Sequence, residues 1–260
     1  MEITITPCSS TAEIVEALTP IWHYFGRTPT PDDAERFVSA LPAERMLVAR
    51  DGATSVGGAG DFPFELTVPG GLVQAAGTTV VGVLPTHRRR GILRSLMRAQ
   101  LDRVHASREP VAYLWASEET IYGRFGYGLA SWSLDVTIGK PAPFARARPS
   151  RGEPGYLGES ESLEPFAEIY DRVRRETPGM FSRTAEWWTS RRLSDPESRR
   201  AGAGHLNRIL LKLDGKPEAY ALYRLTQSLE AGITSGHVSV IEAMGAVPEA
   251  NREIWRFLLD

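Results

Sequence analysis

One cysteine, Cys8, stands in the whole sequence, so an intramolecular disulfide and a cysteine-based zinc site are both excluded. A reducing compartment is the expectation. No stretch approaches the ~18 consecutive apolar residues that a membrane span needs. The N-terminus MEITITPCSSTAEIVEALTP carries Glu2, Glu13 and Glu16 where a secretory leader has a basic and then an apolar segment, and the expected location is cytoplasmic. Excess charge is missing as well: 30 Lys+Arg against 32 Asp+Glu leave a formal net charge of -2. The chain as a whole therefore exerts no pull on nucleic acid or an anionic membrane. No short-period repeat or low-complexity tract occurs, and neither G-x-G-x-x-G after a strand nor G-x-x-x-x-G-K-[ST] is present. What remains is an ordinary globular composition, 42% hydrophobic and 24% charged over 260 residues, enough for one large domain or two small ones at roughly 150 residues each.

Ile14, Val15, Leu18, Ile21, Trp22 and Phe25 recur near helical spacing and predict a helix over 12–25, with Ser9, Ser10 or Thr11 to cap it. A shorter helix is expected over 31–40, then a strand and hairpin meander through residue 75. The Val-rich run 78–83 reads as a strand ended by Pro85, 92–104 as a helix, and 111–116 as a second buried-type strand. After a glycine-punctuated turn at 123–128, Trp132, Leu134 and Val136 alternate as one face of a strand over 131–136. From 139 to 158 the composition turns to Pro, Arg and Gly and reads as a linker. Beyond it, helices are expected over 163–174 and 184–193, a hairpin around Asp214-Gly215, a strand over 237–244 and a helix over 249–259. That last helix stops at Asp260 without a capping glycine or polar tail and looks cut.

The segment Val80 to Met97 carries the chemistry. A strand runs into Pro85-Thr86-His87-Arg88-Arg89-Arg90-Gly91, and the turn opens an amphipathic helix. The first backbone N–H groups of a helix lack intrahelical acceptors and sit at the positive end of the macrodipole, so an anion is favoured there. Gly91 removes a Cβ from the path of a pyrophosphate, and arginines add charge-assisted, bidentate donors. Three readings stay open on these residues: a solvated charge run, a nucleic-acid patch, and a nucleotide-cofactor site.

Arg88-x-x-Gly91 after a Val-rich strand resembles the acyl-CoA-binding motif Gln/Arg-x-x-Gly-x-Gly/Ala of the Gcn5-related N-acetyltransferases, with Leu93 departing from its last position. The longer string from Pro85 to Arg94, followed by Ala116-Ser117-Glu118 and Ile121-Tyr122-Gly123-Arg124-Phe125-Gly126-Tyr127-Gly128, is similar to the Eis-type (enhanced intracellular survival) acetyltransferases. The resemblance continues through Tyr220 to Arg224 and the terminal helix. It implies an α/β (α+β) Gcn5-related fold, a mixed central sheet flanked by helices, over residues 1–138, and a second, partial acetyltransferase-like unit over 159–260. It also implies acetyl-CoA as cosubstrate, no metal, no nucleic acid or membrane partner, a homo-oligomer, and a cationic amine acceptor of the aminoglycoside or lysine type. Position by position, Val81, Gly82 and Val83 match the strand that holds the pantetheine arm. Arg88 opens the motif, and Arg89, Arg90, Gly91, Ile92, Leu93 and Arg94 match the diphosphate loop. Ser117 and Glu118 match a further cofactor-contact pair, and Tyr122 matches the general acid.

Acetyl transfer to an amine needs a neutral nucleophile, a positioned thioester, a held oxyanion and a proton for the departing thiolate. A tyrosine of ordinary pKa about 10 is protonated at neutral pH and can supply that proton, and a backbone N–H at Val83 is a candidate oxyanion donor. In the family the general base is a carboxylate at the far C-terminus of a third, sterol-carrier-like domain. The sequence ends at Asp260, so a chain without that domain and base is expected, with His23 as a local substitute. Asp32, Asp33, Glu35, Asp61, Glu65, Glu118 and Glu119 are candidates to line a cationic acceptor's cleft. The alternative function is a catalytically silent acyl-CoA-binding or assembly module.

Overall fold

In the computed structural model, residues 3–27, 31–144, 146, 149–230 and 233–260 are described. The chain forms two compact units, Met1–Ser131 with Gly179–Ser190, and Trp132–Pro178 with Arg191–Asp260. Among the described residues no helix is long and apolar enough to cross a membrane.

The first unit is built on β1 (Ile3–Pro7), β2 (Met46–Asp51), β3 (Thr54–Val68), β4 (Gly71–Val83) and β5 (Val111–Leu114), in that order across one sheet. Successive strands are antiparallel up to β4, and β5 runs parallel to β4, so the sheet is mixed, as expected. Alternate residues of β2 serve opposite faces. Met46 and Val48 pack with Ile14 and Leu18 of α1 (Thr11–Tyr24), while Leu47 and Ala49 pack with Ile92 and Leu96 of α3 (Ile92–Ala106). Burial of each such large side chain contributes about 1.5–3 kcal/mol. Ser10 caps α1, its Oγ accepting from the Glu13 N–H at 3.3 Å. The short α2 (Pro31–Val38) follows α1.

Two glycines exist because α1 lies on the backbone of the sheet. A Cβ at Gly58 would stand 2.2 Å from the Ala17 carbonyl oxygen, and one at Gly82 would stand 2.9 Å from Ile21 Cβ. Buried Cys8 joins this core, and burial, then Glu13, pushes its thiol pKa up to about 12, so it is no nucleophile at neutral pH.

The second unit has an antiparallel sheet, β6 (Gly152–Tyr156), β7 (Asn207–Leu213), β8 (Lys216–Glu230) and β9 (Ile233–Gly245), in that order. Asp214 and Gly215, at φ of 51° and 75°, make the β7–β8 turn, the left-handed pair that matches strand twist. In α4 (Glu159–Arg175), Phe166 stacks on Tyr220 with ring centroids 4.6 Å apart. In the terminal α6 (Pro248–Leu259), Ile254 and Leu258 pack with Ile209, Leu211 and Tyr223. The helix that looked cut is covered by its own sheet.

Four expectations need correction. Residues 131–136 join no strand pairing among the described residues, and Trp132, Leu134 and Val136 are 82, 86 and 74% exposed. Alternation decides which side chains share a face and says nothing of the partner strand. Within the expected linker, Gly152–Tyr156 pairs with β7 as β6. The stretch 179–190, expected in the second half, belongs to the first unit because β3 outruns β2 beyond Gly60. There the Thr67 N–H donates to the Met180 carbonyl and the Ser182 N–H to the Glu65 carbonyl, each at 2.8 Å. This partly covers an otherwise open strand edge. The expected helix 184–193 is the single turn α5 (Ala185–Trp187) continued by a wider, π-helical stretch, Trp188–Leu193.

Candidate active site

The strand pair β4–β5 opens like a fork. Their parallel pairing runs from Ala75 opposite Val111 to Thr78 opposite Leu114 and stops, yet β4 continues five residues to Val83, still paired with Gly57 of β3. Val80 sits at the bend with φ of 50°, a strained conformation for a β-branched residue. There the register to β3 slips, Gly58 facing Gly82 while Gly60 faces Thr79. Such a bulge re-aims a strand. Its far end, Val81 to Val83, presents peptide groups to no second strand among the described residues.

Past Val83 the chain makes one 3₁₀ turn, Pro85–His87, and reaches α3 through Arg88, Arg89 and Arg90. Gly91 caps α3 in a left-handed conformation, φ 82°, and no side chain closes the helix start. A Cβ placed on Gly91 would meet no protein atom within 4 Å, so the space beside the helix start is open. Arg88, Arg89 and Arg94 are exposed and make no ion pair among the described residues. Arg90 instead leans on Asp51 at 3.3 Å, where His87 Nε2 also lies 3.4 Å from the same carboxylate oxygen. Ile92 is buried against Leu96 and Val56, leaving only its backbone for a ligand, and Leu93 is half-buried.

Tyr122 follows a short 3₁₀ turn, Glu119–Ile121, after β5. Burial, then Tyr127 and Glu118, raises its pKa above the ordinary tyrosine value. Its ring meets Tyr127 edge to face, centroids 5.9 Å apart. The Tyr127 hydroxyl is 2.8 Å from Thr78 Oγ1, which Gln100 Nε2 approaches at 3.4 Å. Gln100 donates also to the Gly60 carbonyl at 2.8 Å and to Asp61 at 3.2 Å. Asp61 is fully buried and paired with Arg45 at 2.6 Å and with Arg103, and Arg45 bonds Glu109 at 2.6 Å. A buried polar chain thus ends at the crotch of the fork, against the ring of Tyr122. Glu118 is exposed and accepts from the Tyr24 hydroxyl of α1, whose pKa that bond raises, and Arg88 lies 6.0 Å from the Tyr24 ring. Ser117 is exposed beside it.

Of the acidic residues expected to face an amine, Asp61 is spent inside the protein and Glu118 on Tyr24, while Asp32, Glu35 and Glu119 are exposed; Glu65 bonds Ser182 Oγ through its N–H. The side chain of Asp33 lies outside the described residues. His23 is exposed in the last turn of α1. Sequence reading missed Tyr24, Tyr127 and the Asp61 cluster. An aspartate inside a Val- and Phe-rich strand, flanked by Gly60 and Phe62, was the available signal for the last.

Residues 9–130 match one family model described as an acetyltransferase (GNAT) domain, and residues 179–260 match a second with the same description. An uncharacterized N-acetyltransferase of Streptomyces coelicolor is 38% identical over 249 residues, covering 91% of this chain and 59% of its own length. N-acetyltransferase Eis of Mycobacterium tuberculosis is 33% identical over 99% of this chain and 64% of its own. Among solved structures, Eis1 from Mycobacterium abscessus superposes with a TM-score of 0.73 at 29% identity, over 100% of this chain and 63% of its own. A GCN5-related N-acetyltransferase from Anabaena variabilis, 18% identical with a TM-score of 0.75 over 99% of this chain and 62% of its own, shares the fold. The chain thus spans about three-fifths of the length of these relatives. With two such domains and these relatives, it is an Eis-like member of the Gcn5-related N-acetyltransferase family.

Proposed function

We propose that this chain binds acetyl-CoA in the β4–β5 fork and transfers its acetyl group to an amine. The observation that carries the reading is the continuity of three features: the edge of β4 from Val81 to Val83, paired with β3 on one side and with no strand on the other among the described residues, the exposed Arg88 and Arg89, and the open, uncapped start of α3 at Gly91. Amides of a pantetheine arm can pair with a free strand edge as an added strand would. A diphosphate fits amides at a helix start flanked by guanidinium groups. Gly82 serves α1 with its missing Cβ, so its contact to coenzyme is through backbone alone. Ser117 and Glu118 border the same fork.

In the reaction the neutral amine nitrogen bonds the thioester carbonyl carbon, the C–S bond breaks, the nitrogen's surplus proton passes to solvent, and the Tyr122 hydroxyl donates a hydrogen bond to the departing thiolate. Full transfer from a tyrosine, pKa about 10, to a thiolate of conjugate-acid pKa about 8.5 is uphill by about 2 kcal/mol. The hydroxyl therefore acts by hydrogen bonding as negative charge develops on sulfur. Glu119, Asp32 and Glu35 are the exposed carboxylates left to attract a cationic acceptor of the aminoglycoside or lysine-side-chain type.

Calorimetry with acetyl-CoA, followed by thiol release in the presence of polyamine aminoglycosides and lysine peptides, tests this. Uptake and amine-dependent thiol release are expected. Uptake without release reduces the chain to an acyl-CoA-binding module, and no uptake removes the reading altogether.

A further inference from the structure

Asp51 holds the basic turn at two points. It ends β2, an interior strand, and its backbone faces Ile3 of β1 on one side and Thr54 of β3 on the other, so strand pairing fixes the carboxylate from both edges. Its side chain is 8% exposed. One oxygen, Oδ2, lies 3.3 Å from Arg90 Nη1 and 3.4 Å from His87 Nε2, while Thr86 Oγ1 stands 2.8 Å from the other imidazole nitrogen, Nδ1. One neutral tautomer serves both contacts: Nε2–H points to the carboxylate, and Nδ1 accepts from the Thr86 hydroxyl. Residues 87 and 90 are thus drawn to a single atom, and the two between them arch outwards. Arg88 has φ of -64° and Arg89 φ of 63°, the φ pair of a type II turn, in which the second of these positions favours glycine. An arginine there is strained and persists only where its surroundings impose the conformation. The start of α3 has no side-chain cap to do so. A carboxylate beside a turn that takes an anion also opposes binding through its charge; the shape it imposes on the turn is what offsets that.

Resting on the coenzyme reading above, we infer that Asp51 and His87 are positioning residues for acetyl-CoA: by pinning the turn at 87 and 90 they present the exposed Arg88 and Arg89 to its diphosphate. Arg90 is then a strut of the turn and not a phosphate ligand. Neither Asp51 nor His87 touches the reacting atoms, so their effect falls on coenzyme binding and passes through the two arginines between the pins.

Titration calorimetry with acetyl-CoA on the intact chain and its variants decides the matter. Asp51→Ala and His87→Ala are each expected to weaken binding about 10-fold, the scale of one hydrogen bond to a charged group. Asp51→Asn keeps an acceptor for the imidazole and His87→Gln keeps a donor for the carboxylate, so both are expected to stay within about 3-fold of the unmutated chain. In an Arg88→Ala, Arg89→Ala background the further effect of Asp51→Ala is expected to shrink below about 2-fold, because residues that act through one another are not additive. His87→Ala, which leaves the buried carboxylate with Arg90, carries the test should Asp51→Ala not fold. Unchanged affinity in the alanine variants overturns the assignment and leaves the fork reading intact. An Asp51→Ala effect that keeps its full size without Arg88 and Arg89 also overturns it, since a residue of general stability behaves that way. Failure of the unmutated chain to bind acetyl-CoA overturns the fork reading, and this inference with it.

Discussion

The Tyr127 hydroxyl and Thr78 Oγ1 stand 2.8 Å apart at the last rung where β4 and β5 are paired. Above this bond the strands separate; below it lies the buried Asp61 cluster. Tyr127→Phe removes the hydroxyl, keeps the ring against Tyr122, and leaves Thr78 with Gln100. The expected loss is about 1 kcal/mol of stability, the value of one hydrogen bond, with a drop in kcat and little change in KM. Urea unfolding and steady-state kinetics on the same preparation check both halves. A KM effect without a kcat effect would contradict a role in placing Tyr122.

Tyr122→Phe is expected to lower kcat about 100-fold while leaving acetyl-CoA affinity nearly unchanged. Because burial, then Tyr127 and Glu118, raises the Tyr122 pKa, the donor keeps its proton until pH passes that raised value. The alkaline limb of the wild-type kcat profile is therefore expected above about 10, the ordinary tyrosine value. Turnover unchanged in the variant would remove the assignment.

Gly82 and Gly91 separate packing from binding. Gly82→Ala sets a Cβ 2.9 Å from Ile21 Cβ and 3.0 Å from its backbone, so α1 must shift and the melting temperature falls. Gly91→Ala meets no atom within 4 Å but needs φ of 82°, about 1–2 kcal/mol of backbone strain. Its expected signature is a loss of coenzyme affinity exceeding that of Gly82→Ala, with the smaller shift in melting. The reverse ranking would contradict an anion site at the start of α3.

Asp61→Asn leaves Arg45 and Arg103 beside a neutral partner in a buried site. Breaking a buried ion pair from one side costs about 3–5 kcal/mol, so the denaturation midpoint should fall steeply. Asp61→Ala should be at least as damaging. Midpoints within error of wild type would show that water reaches the cluster.

In the second unit, burial works to raise the Asp195 pKa. The Leu206 N–H at 3.0 Å and the guanidinium groups of Arg224 at 2.6 Å and Arg200 at 3.2 Å overrule it, so the carboxyl lies below its ordinary value. A depressed folded-state pKa gives stability that is complete above the unfolded value of about 3.9 and is lost as pH falls through the folded one. Asp195→Asn should therefore be less stable than wild type at pH 7, and the gap should close below about pH 4. Urea midpoints measured down the pH scale test this, and a gap independent of pH would refute it.

How much of this was readable beforehand follows from particular residues. The strand–basic turn–helix run around Arg88 to Arg94 is local: Pro85 ends a strand, Gly91 permits the left-handed cap, and Ile92, Leu96 and Met97 set a helical stripe. The hairpin at Asp214-Gly215 was equally local. Residues 131–136 show the opposite case, for their alternation is a strand pattern whose partner no local rule supplies.

By itself the sequence determined the strand–basic turn–helix run, the likeness that names the family, and the mixed α/β order, since each depends on side chains within a few residues of one another. Tertiary structure alone decided that β5 leaves β4 at Thr78, that Asp61 is buried with two arginines instead of facing an amine, that Tyr127 backs Tyr122, and that Arg98 and Arg124 join Arg94 around one cavity. Apart from Tyr122 with Tyr127 and Arg94 with Arg98, which are near neighbours, those partners lie more than a dozen residues apart along the chain. Their meeting is fixed by packing and strand register, and local periodicity carries no record of either.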